Sequence, residues 1–348
     1  MQGIVEPMER GGDEIAITVH QRSSRIRLLW SAVLVGFCAA LTISGCLVNQ
    51  NNIGDAEKLL PSAPTKLTPT RNNVSYGPEV HQHLDIYQPA GTPRGTIVYF
   101  HAGGWCCGDE DDVDALVLAQ RDRGFAVVSV HYGLALDKTA EEINDDADRS
   151  IRWVKAHGDE WGARGKPVLA AGGSAGGNVA LLAGAAPGVF VEPALPEELA
   201  VVSPEVDGVI SFVGPSDLRA YIGGQIPPNG IDGQNLVEEY LDCSNRGSFT
   251  YGSAIPLPKC SELRPLLFSP LFWAALHVWE TGGLPPVYLG YGADDGLVPP
   301  SSQAIPIFEV WKMSAGSATT WLDIADSTHN VTFELNAVAF NRWMDQFG

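Results

Sequence analysis

The six residues Gly172-Gly173-Ser174-Ala175-Gly176-Gly177 follow the apolar run Val168-Leu169-Ala170-Ala171 and precede a helix-period segment. A serine on a sharp strand-to-helix turn between glycines has its Oγ exposed and its backbone strained, which suits it to attack a carbonyl carbon. A phosphate-cradling loop would instead end in Gly-Lys-Ser/Thr, and no lysine stands here. Serine is a weak nucleophile on its own and needs a base and a stabiliser for the charge it creates. His329, in Asp326-Ser327-Thr328-His329-Asn330, can supply the base. The stretch Tyr291-Gly292-Ala293-Asp294-Asp295-Gly296 holds two adjacent carboxylates. One of them can fix the imidazole tautomer and steady the imidazolium, but neighbouring side chains in extended chain point apart, so only one can reach the ring. Upstream, Val98-Tyr99-Phe100 runs into His101-Ala102-Gly103-Gly104-Trp105. The N–H groups of Gly103 and Gly104, with that of Ala175, form a candidate oxyanion hole, and His101 is expected to shape that loop rather than move protons.

These residues need a scaffold that brings distant turns to one place. From residue 95 onward short β-branched runs alternate with longer amphipathic stretches, which predicts an α/β fold with a mostly parallel sheet flanked by helices. Strands are expected at Thr96–Phe100, Ala126–Val130, Val168–Ala171, Gly208–Val213, Val287–Tyr291 and Trp321–Ile324. Ile143, Ala147, Ile151 and Val154 recur at helical spacing, and Val179, Ala180 and Leu182 to Ala185 do so after the serine turn. From about Leu218 to Gly283 glycine and proline break the rhythm, and this stretch is expected to be a cap or lid inserted over the site. Serine, aspartate and histidine each come off the end of an expected strand, in that order along the chain.

With these residues together, the sequence resembles the hormone-sensitive-lipase-like and carboxylesterase branches of the α/β-hydrolase superfamily over about residues 80–347. The resemblance rests on Leu84-Asp85-Ile86-Tyr87-Gln88-Pro89, His101 to Trp105, Val130-His131-Tyr132, Arg152-Trp153-Val154, Ser174 to Asn178 and Ser269-Pro270. Ala102 and Gly173 depart from the residues usual in that family. The resemblance implies the α/β-hydrolase fold and a Ser174, Asp295 and His329 triad. Asp295 takes the acid's place because it stands four residues before Pro299 as in the family's acid loop, which leaves Asp294 to cap the loop. The expected reaction is hydrolysis of a small-molecule carboxylic ester through an acyl-serine. A serine peptidase of the same fold and a catalytically silent, surface-anchored binding protein are the alternatives. The chemistry needs no cofactor, and no histidine cluster suggests a metal; His81, His83, His131, His157 and His277 have no motif around them and receive no role.

Arg22, Arg25 and Arg27 precede an apolar run from Leu28 to Val48, arranged like an export signal. Ile43-Ser44-Gly45-Cys46 looks like the lipobox of bacterial lipoproteins, which implies cleavage before Cys46 and a lipid anchor there. The expected organisation is a signal peptide over 1–45, a flexible tether over 46–73 and a catalytic domain over 74–348, held at the cell envelope. An uncleaved single-pass N-terminal anchor is the alternative. In an oxidising compartment Cys243 and Cys260 are candidates for a disulfide, whereas the adjacent Cys106 and Cys107 are expected to be reduced, buried thiols. The formal net charge of −19 argues against nucleic-acid partners, whose phosphates it would repel. The run Asp109, Glu110, Asp111, Asp112 and Asp114 lacks the spacing of a calcium loop and is read as a solvated helix start.

Overall fold

The structure is a computed structural model and describes residues 67–135, 137–190, 195–222, 233–242, 250–251, 255–256, 263–280, 283–316, 318–331 and 334–348. Cys46, Cys243, Cys260 and the expected signal segment lie outside the described residues, as does the tether up to residue 66. Among the described residues no helix is long and apolar enough to cross a membrane.

Eight strands form the central sheet: β1 (Arg71–Ser75), β2 (His83–Tyr87), β3 (Gly95–Phe100), β4 (Phe125–His131), β5 (Val168–Gly173), β6 (Gly208–Phe212), β7 (Val287–Gly292) and β8 (Thr320–Ala325). Their order across the sheet is β1-β2-β4-β3-β5-β6-β7-β8. All neighbours from β4 to β8 run parallel, and β2 pairs antiparallel with both β1 and β4. The central strands β3, β5, β6 and β7 are buried at every residue. That is why they read as continuous apolar or small-residue runs: helices cover both faces of a parallel sheet.

Two strands escape the sequence pattern. β1 begins at Arg71, inside the stretch read as a tether, because it is a polar, largely exposed edge strand. Asn73 sits at φ 55° there and donates its N–H to Asp85 Oδ1 at 2.8 Å, so an aspartate buried within β2 secures the irregular edge.

Helices α1 (Ala140–His157) and α2 (Ala175–Ala185) fall where the periodicity places them. Thr139 opens α1 with a capping box: its Oγ1 accepts the Glu142 N–H, and Glu142 Oε2 accepts the Thr139 N–H at 2.8 Å. Further along come α3 (Gly233–Tyr240), α4 (Leu263–Leu267), α5 (Pro270–Glu280), α6 (Ala304–Ala315) and α7 (Ala337–Met344). The first three belong to the expected insertion, which is therefore partly helical rather than one long irregular loop. It is fastened to the domain by a buried pair, Arg264 of α4 with Glu141 of α1, whose two N–H···O contacts measure 2.8 and 2.9 Å. Asn178 of α2 adds donors to Pro215 O at 2.8 Å and Phe268 O at 3.3 Å.

Candidate active site

Parallel strands place their carboxyl ends along one edge of the sheet, and α/β folds gather ligands there. Ser174 follows β5, Asp295 follows β7, His329 follows β8, and the loop from His101 follows β3. The three separate turns meet: His329 Nε2 lies 2.9 Å from Ser174 Oγ, and His329 Nδ1 lies 2.7 Å from Asp295 Oδ2.

The serine turn is strained as its glycines suggest. Ser174 has φ 50° and ψ −116°, a region that costs a residue with a side chain about 1–3 kcal/mol. The turn is held by the Ser174 N–H donating to Phe212 O at 2.7 Å and by the Asn178 N–H returning to Ser174 O at 3.1 Å. Gly176 permits it, since a Cβ there would stand 2.0 Å from Phe100 O. Ala175 opens α2, and Ser174 gives no side-chain cap to the first N–H groups of the helix, which have no intrahelical partner.

The glycine loop that follows β3 lies against this turn. Gly103 has φ 127°, and a Cβ on it would stand 2.1 Å from Cys107 O. Among the described residues the N–H groups of Gly103, Gly104 and Ala175 make no hydrogen bond. His101 at the loop's start is fully buried, stacks on Tyr132 with ring centroids 4.2 Å apart, and keeps Nδ1 2.8 Å from Ala102 O. Burial pushes its pKa down, so the ring is neutral, in keeping with a loop-shaping part.

Of the two adjacent carboxylates, Asp295 faces the histidine and Asp294 is exposed. The capping expected of Asp294 is made by Asp295 itself, whose Oδ1 accepts the N–H groups of Leu297 at 2.9 Å and Val298 at 2.8 Å. One buried carboxylate thus folds its own loop with one oxygen and orients His329 with the other. Tyr291 lies nearby; burial, and then the Asp295 charge, push its phenol's pKa well up, and its O–H donates to Gly214 O at 2.5 Å.

The insertion covers loops on both flanks of the serine. Leu236 of α3 stands against Gly104, and Tyr240 stacks on Trp105 with ring centroids 4.4 Å apart. On the other flank the Tyr221 O–H donates to Leu297 O at 2.9 Å.

Three sequence expectations change here. Cys106 and Cys107 are free but not both buried: in a turn where both N–H groups donate to Gly103 O, Cys106 is half-buried and Cys107 exposed, with Sγ atoms 2.8 Å apart. In the acidic run, Asp114 does cap a single helical turn at Ala115–Leu118, but Glu110 is buried rather than solvated. Glu110 Oε1 lies 3.0 Å from His83 Nε2, and its Oε2 lies 3.1 Å from His131 Nδ1. Burial opposes its charge, yet contact with His131 and its own backbone N–H outweigh this and hold its carboxyl at about 2. His83 and His131, which had no motif around them, thus belong to a cluster that the fold alone assembles.

Comparison with known proteins adds the following. The family described as BD-FAE matches residues 84–243, just under half of the chain. Carboxylic ester hydrolase LipN of Mycobacterium tuberculosis is 40% identical over 120 residues, which cover 30% of this chain and 32% of that protein. Carboxylesterase NlhH of the same organism is 34% identical over 157 residues, covering 44% of this chain and 48% of its own. The chain therefore spans about a third to a half of the length of these curated relatives. Among solved structures, a truncated carbohydrate esterase from gut microbiota superposes with a TM-score of 0.61 at 20% identity, over 83% of this chain and 98% of that one. Propionate-bound esterase 2 of Thermogutta terrifontis gives a TM-score of 0.53 at 22% identity, over 76% of this chain and 86% of that one. The fold is that of the α/β-hydrolases.

Proposed function

We propose that the chain is a serine hydrolase that cleaves carboxylic esters, with Ser174 as nucleophile, His329 as base and Asp295 as the orienting acid. The observation that carries this reading is the continuous relay Ser174 Oγ, His329 Nε2, His329 Nδ1, Asp295 Oδ2, seated on a strained turn at the carboxyl edge of the sheet. His329 takes the Ser174 proton as Oγ bonds to the ester carbonyl carbon, and the carbonyl electron pair moves onto oxygen. The N–H groups of Gly103, Gly104 and Ala175 face that oxyanion. Collapse expels the alcohol, which His329 protonates, and leaves an acyl-serine. Water, deprotonated by His329, then releases the acid by the same steps. Asp295 keeps its charge throughout and stabilises the imidazolium.

The esterase relatives and the BD-FAE match support the ester as substrate. Propionate in the Thermogutta structure makes short acyl chains the first to try in a p-nitrophenyl ester series. A fluorophosphonate probe should label the chain at Ser174 and fail to label the folded Ser174→Ala variant, which should also lose its acyl-enzyme burst. Turnover with a burst in that variant would refute the mechanism. Attachment to the membrane through diacylated Cys46 is part of the proposal and is supported by the basic, apolar and Ser-Gly-Cys sequence order. Labelled palmitate should enter the chain in bacteria and be lost in Cys46→Ser; retained label would exclude this anchor.

A further inference from the structure

His83 on β2 and His131 on β4 are direct partners across an antiparallel strand pair, which places their side chains side by side on one face. Glu110, from the segment after the oxyanion loop, turns its carboxylate toward them. The three offer donor atoms that all lie within 4.8 Å of one another. We infer that His83, His131 and Glu110 form a binding site for a borderline divalent cation of the zinc class, one that ties the segment after the oxyanion loop to the sheet.

Three observations carry this. First, the buried atoms Glu110 Oε2 and His131 Nδ1 face each other as an ion pair at 3.1 Å, and neither makes a hydrogen bond. A divalent cation between them would replace the one proton of that pair and take a lone pair from each atom. Second, His83 Nδ1 lies 3.1 Å from Val80 O, a carbonyl placed to keep a proton on that nitrogen, so that Nε2, 3.0 Å from Glu110 Oε1, is the ring atom free to give up its proton to a cation. A backbone carbonyl that fixes the tautomer in this way is the usual support of a metal-binding imidazole. Third, the donor set of two imidazoles and one carboxylate matches the ligands of zinc and its neighbours, not the all-oxygen sets of calcium or magnesium.

The spacing agrees. Donors bound at about 2.0–2.1 Å around a tetrahedral ion stand about 3.3 Å from each other, and the two carboxylate–imidazole contacts measure 3.0 and 3.1 Å. The imidazole rings stack with planes 13° from parallel, so one must turn about its Cβ–Cγ bond for both lone pairs to converge. All three side chains keep some exposure, 22% for His83, 17% for His131 and 11% for Glu110, which leaves a path from solvent and a position for water. The site is separate from Ser174 and His329, since its ligands come from β2, β4 and the segment after residue 108. Its expected effect is on the stability of the loop that carries Gly103 and Gly104.

The test is zinc binding by the full chain after dialysis against a chelator. Calorimetric titration with zinc chloride should show one ion per chain at this site, with an upward shift in the thermal midpoint. The cobalt(II) form should show visible absorption with imidazole character. His83→Gln, His131→Gln and Glu110→Gln should each weaken binding by about 100-fold or more, given that even supporting residues cost 10–100-fold. His329→Gln, which removes another partly exposed imidazole beside a carboxylate, should bind zinc as the unaltered chain does. The inference is overturned if the chain takes up no zinc, or if His329→Gln abolishes uptake while His83→Gln and Glu110→Gln leave it unchanged. Should one variant not fold, either of the other two decides the same question.

Discussion

Replacing Asp295 by asparagine separates the two tasks of its carboxylate. In the wild type Oδ1 accepts the Leu297 and Val298 N–H groups, while Oδ2 faces His329 Nδ1 at 2.7 Å. Asparagine keeps an oxygen for the first task but places an NH₂ at the second. That group donates to Nδ1 and forces the proton onto Nε2, where it faces Ser174 Oγ and cannot accept the serine proton. The same change in a protease triad lowers kcat by about 10⁴, or about 5.4 kcal/mol of barrier at 1.36 kcal/mol per tenfold. Stability should hardly move, because both loop hydrogen bonds survive. Asp295→Ala should lose the activity as well, but it also strands two N–H groups at about 1–3 kcal/mol each, or about 2–6 kcal/mol in total. Steady-state hydrolysis of a p-nitrophenyl ester measures the first effect and urea unfolding the second. Asp294→Asn, changed in an exposed side chain, should alter neither. If Asp295→Asn stayed within tenfold of the wild type, or Asp294→Asn proved the crippling change, the assignment of the acid would be wrong.

Two further outcomes follow from other parts of the molecule. Glu141→Ala leaves the Arg264 guanidinium buried without its carboxylate and should cost about 3–5 kcal/mol in urea unfolding. The double replacement Glu141→Leu with Arg264→Met should recover most of that loss, since no charge is then left unpaired. In the loop after β3, partial burial and then the neighbouring Cys107 push the Cys106 thiol up to about 11. Only the thiolate reacts, so Cys106 alkylation by iodoacetamide should be slow at neutral pH and rise about tenfold per pH unit toward that value. Cys107 is exposed and should be labelled first at pH 7, as peptide mass spectrometry would show. Equal labelling of the two at neutral pH would contradict this.

The parts of the fold that were legible in the sequence are those whose pattern is made locally. β3, β5, β6 and β7 read as strands because burial on both faces leaves nothing charged in them. α1 announced itself through the regular apolar spacing of Ile143, Ala147, Ile151 and Val154. β1 and β2 did not, because their stability is assembled between them: Asp85 is polar by type, buried by position, and useful only because Asn73 donates to it. Nothing in either segment alone signals that bond. The acid run was misread for the same reason, since Glu110 is solvated or buried according to whether two histidines elsewhere in the chain face it.

The geometry at Ser174 could be anticipated even though its members lie far apart in sequence, and this has a topological cause. In a parallel sheet every strand delivers its following turn to the same edge, so a residue just after a strand has its position set by that strand alone. Ser174, Asp295 and His329 each satisfy this condition, after β5, β7 and β8, and so does the loop of Gly103 and Gly104 after β3. Local motif plus strand end therefore suffices to bring them together. The cluster of His83, His131 and Glu110 depends on a different quantity, the register of an antiparallel pair. A slip of one residue between β2 and β4 would turn one histidine to the opposite face and dissolve the cluster. Register is set by the whole packed sheet, which no short motif around His83 or His131 encodes. Sites built from strand ends can thus be read from one sequence, while sites built across strands wait for the fold.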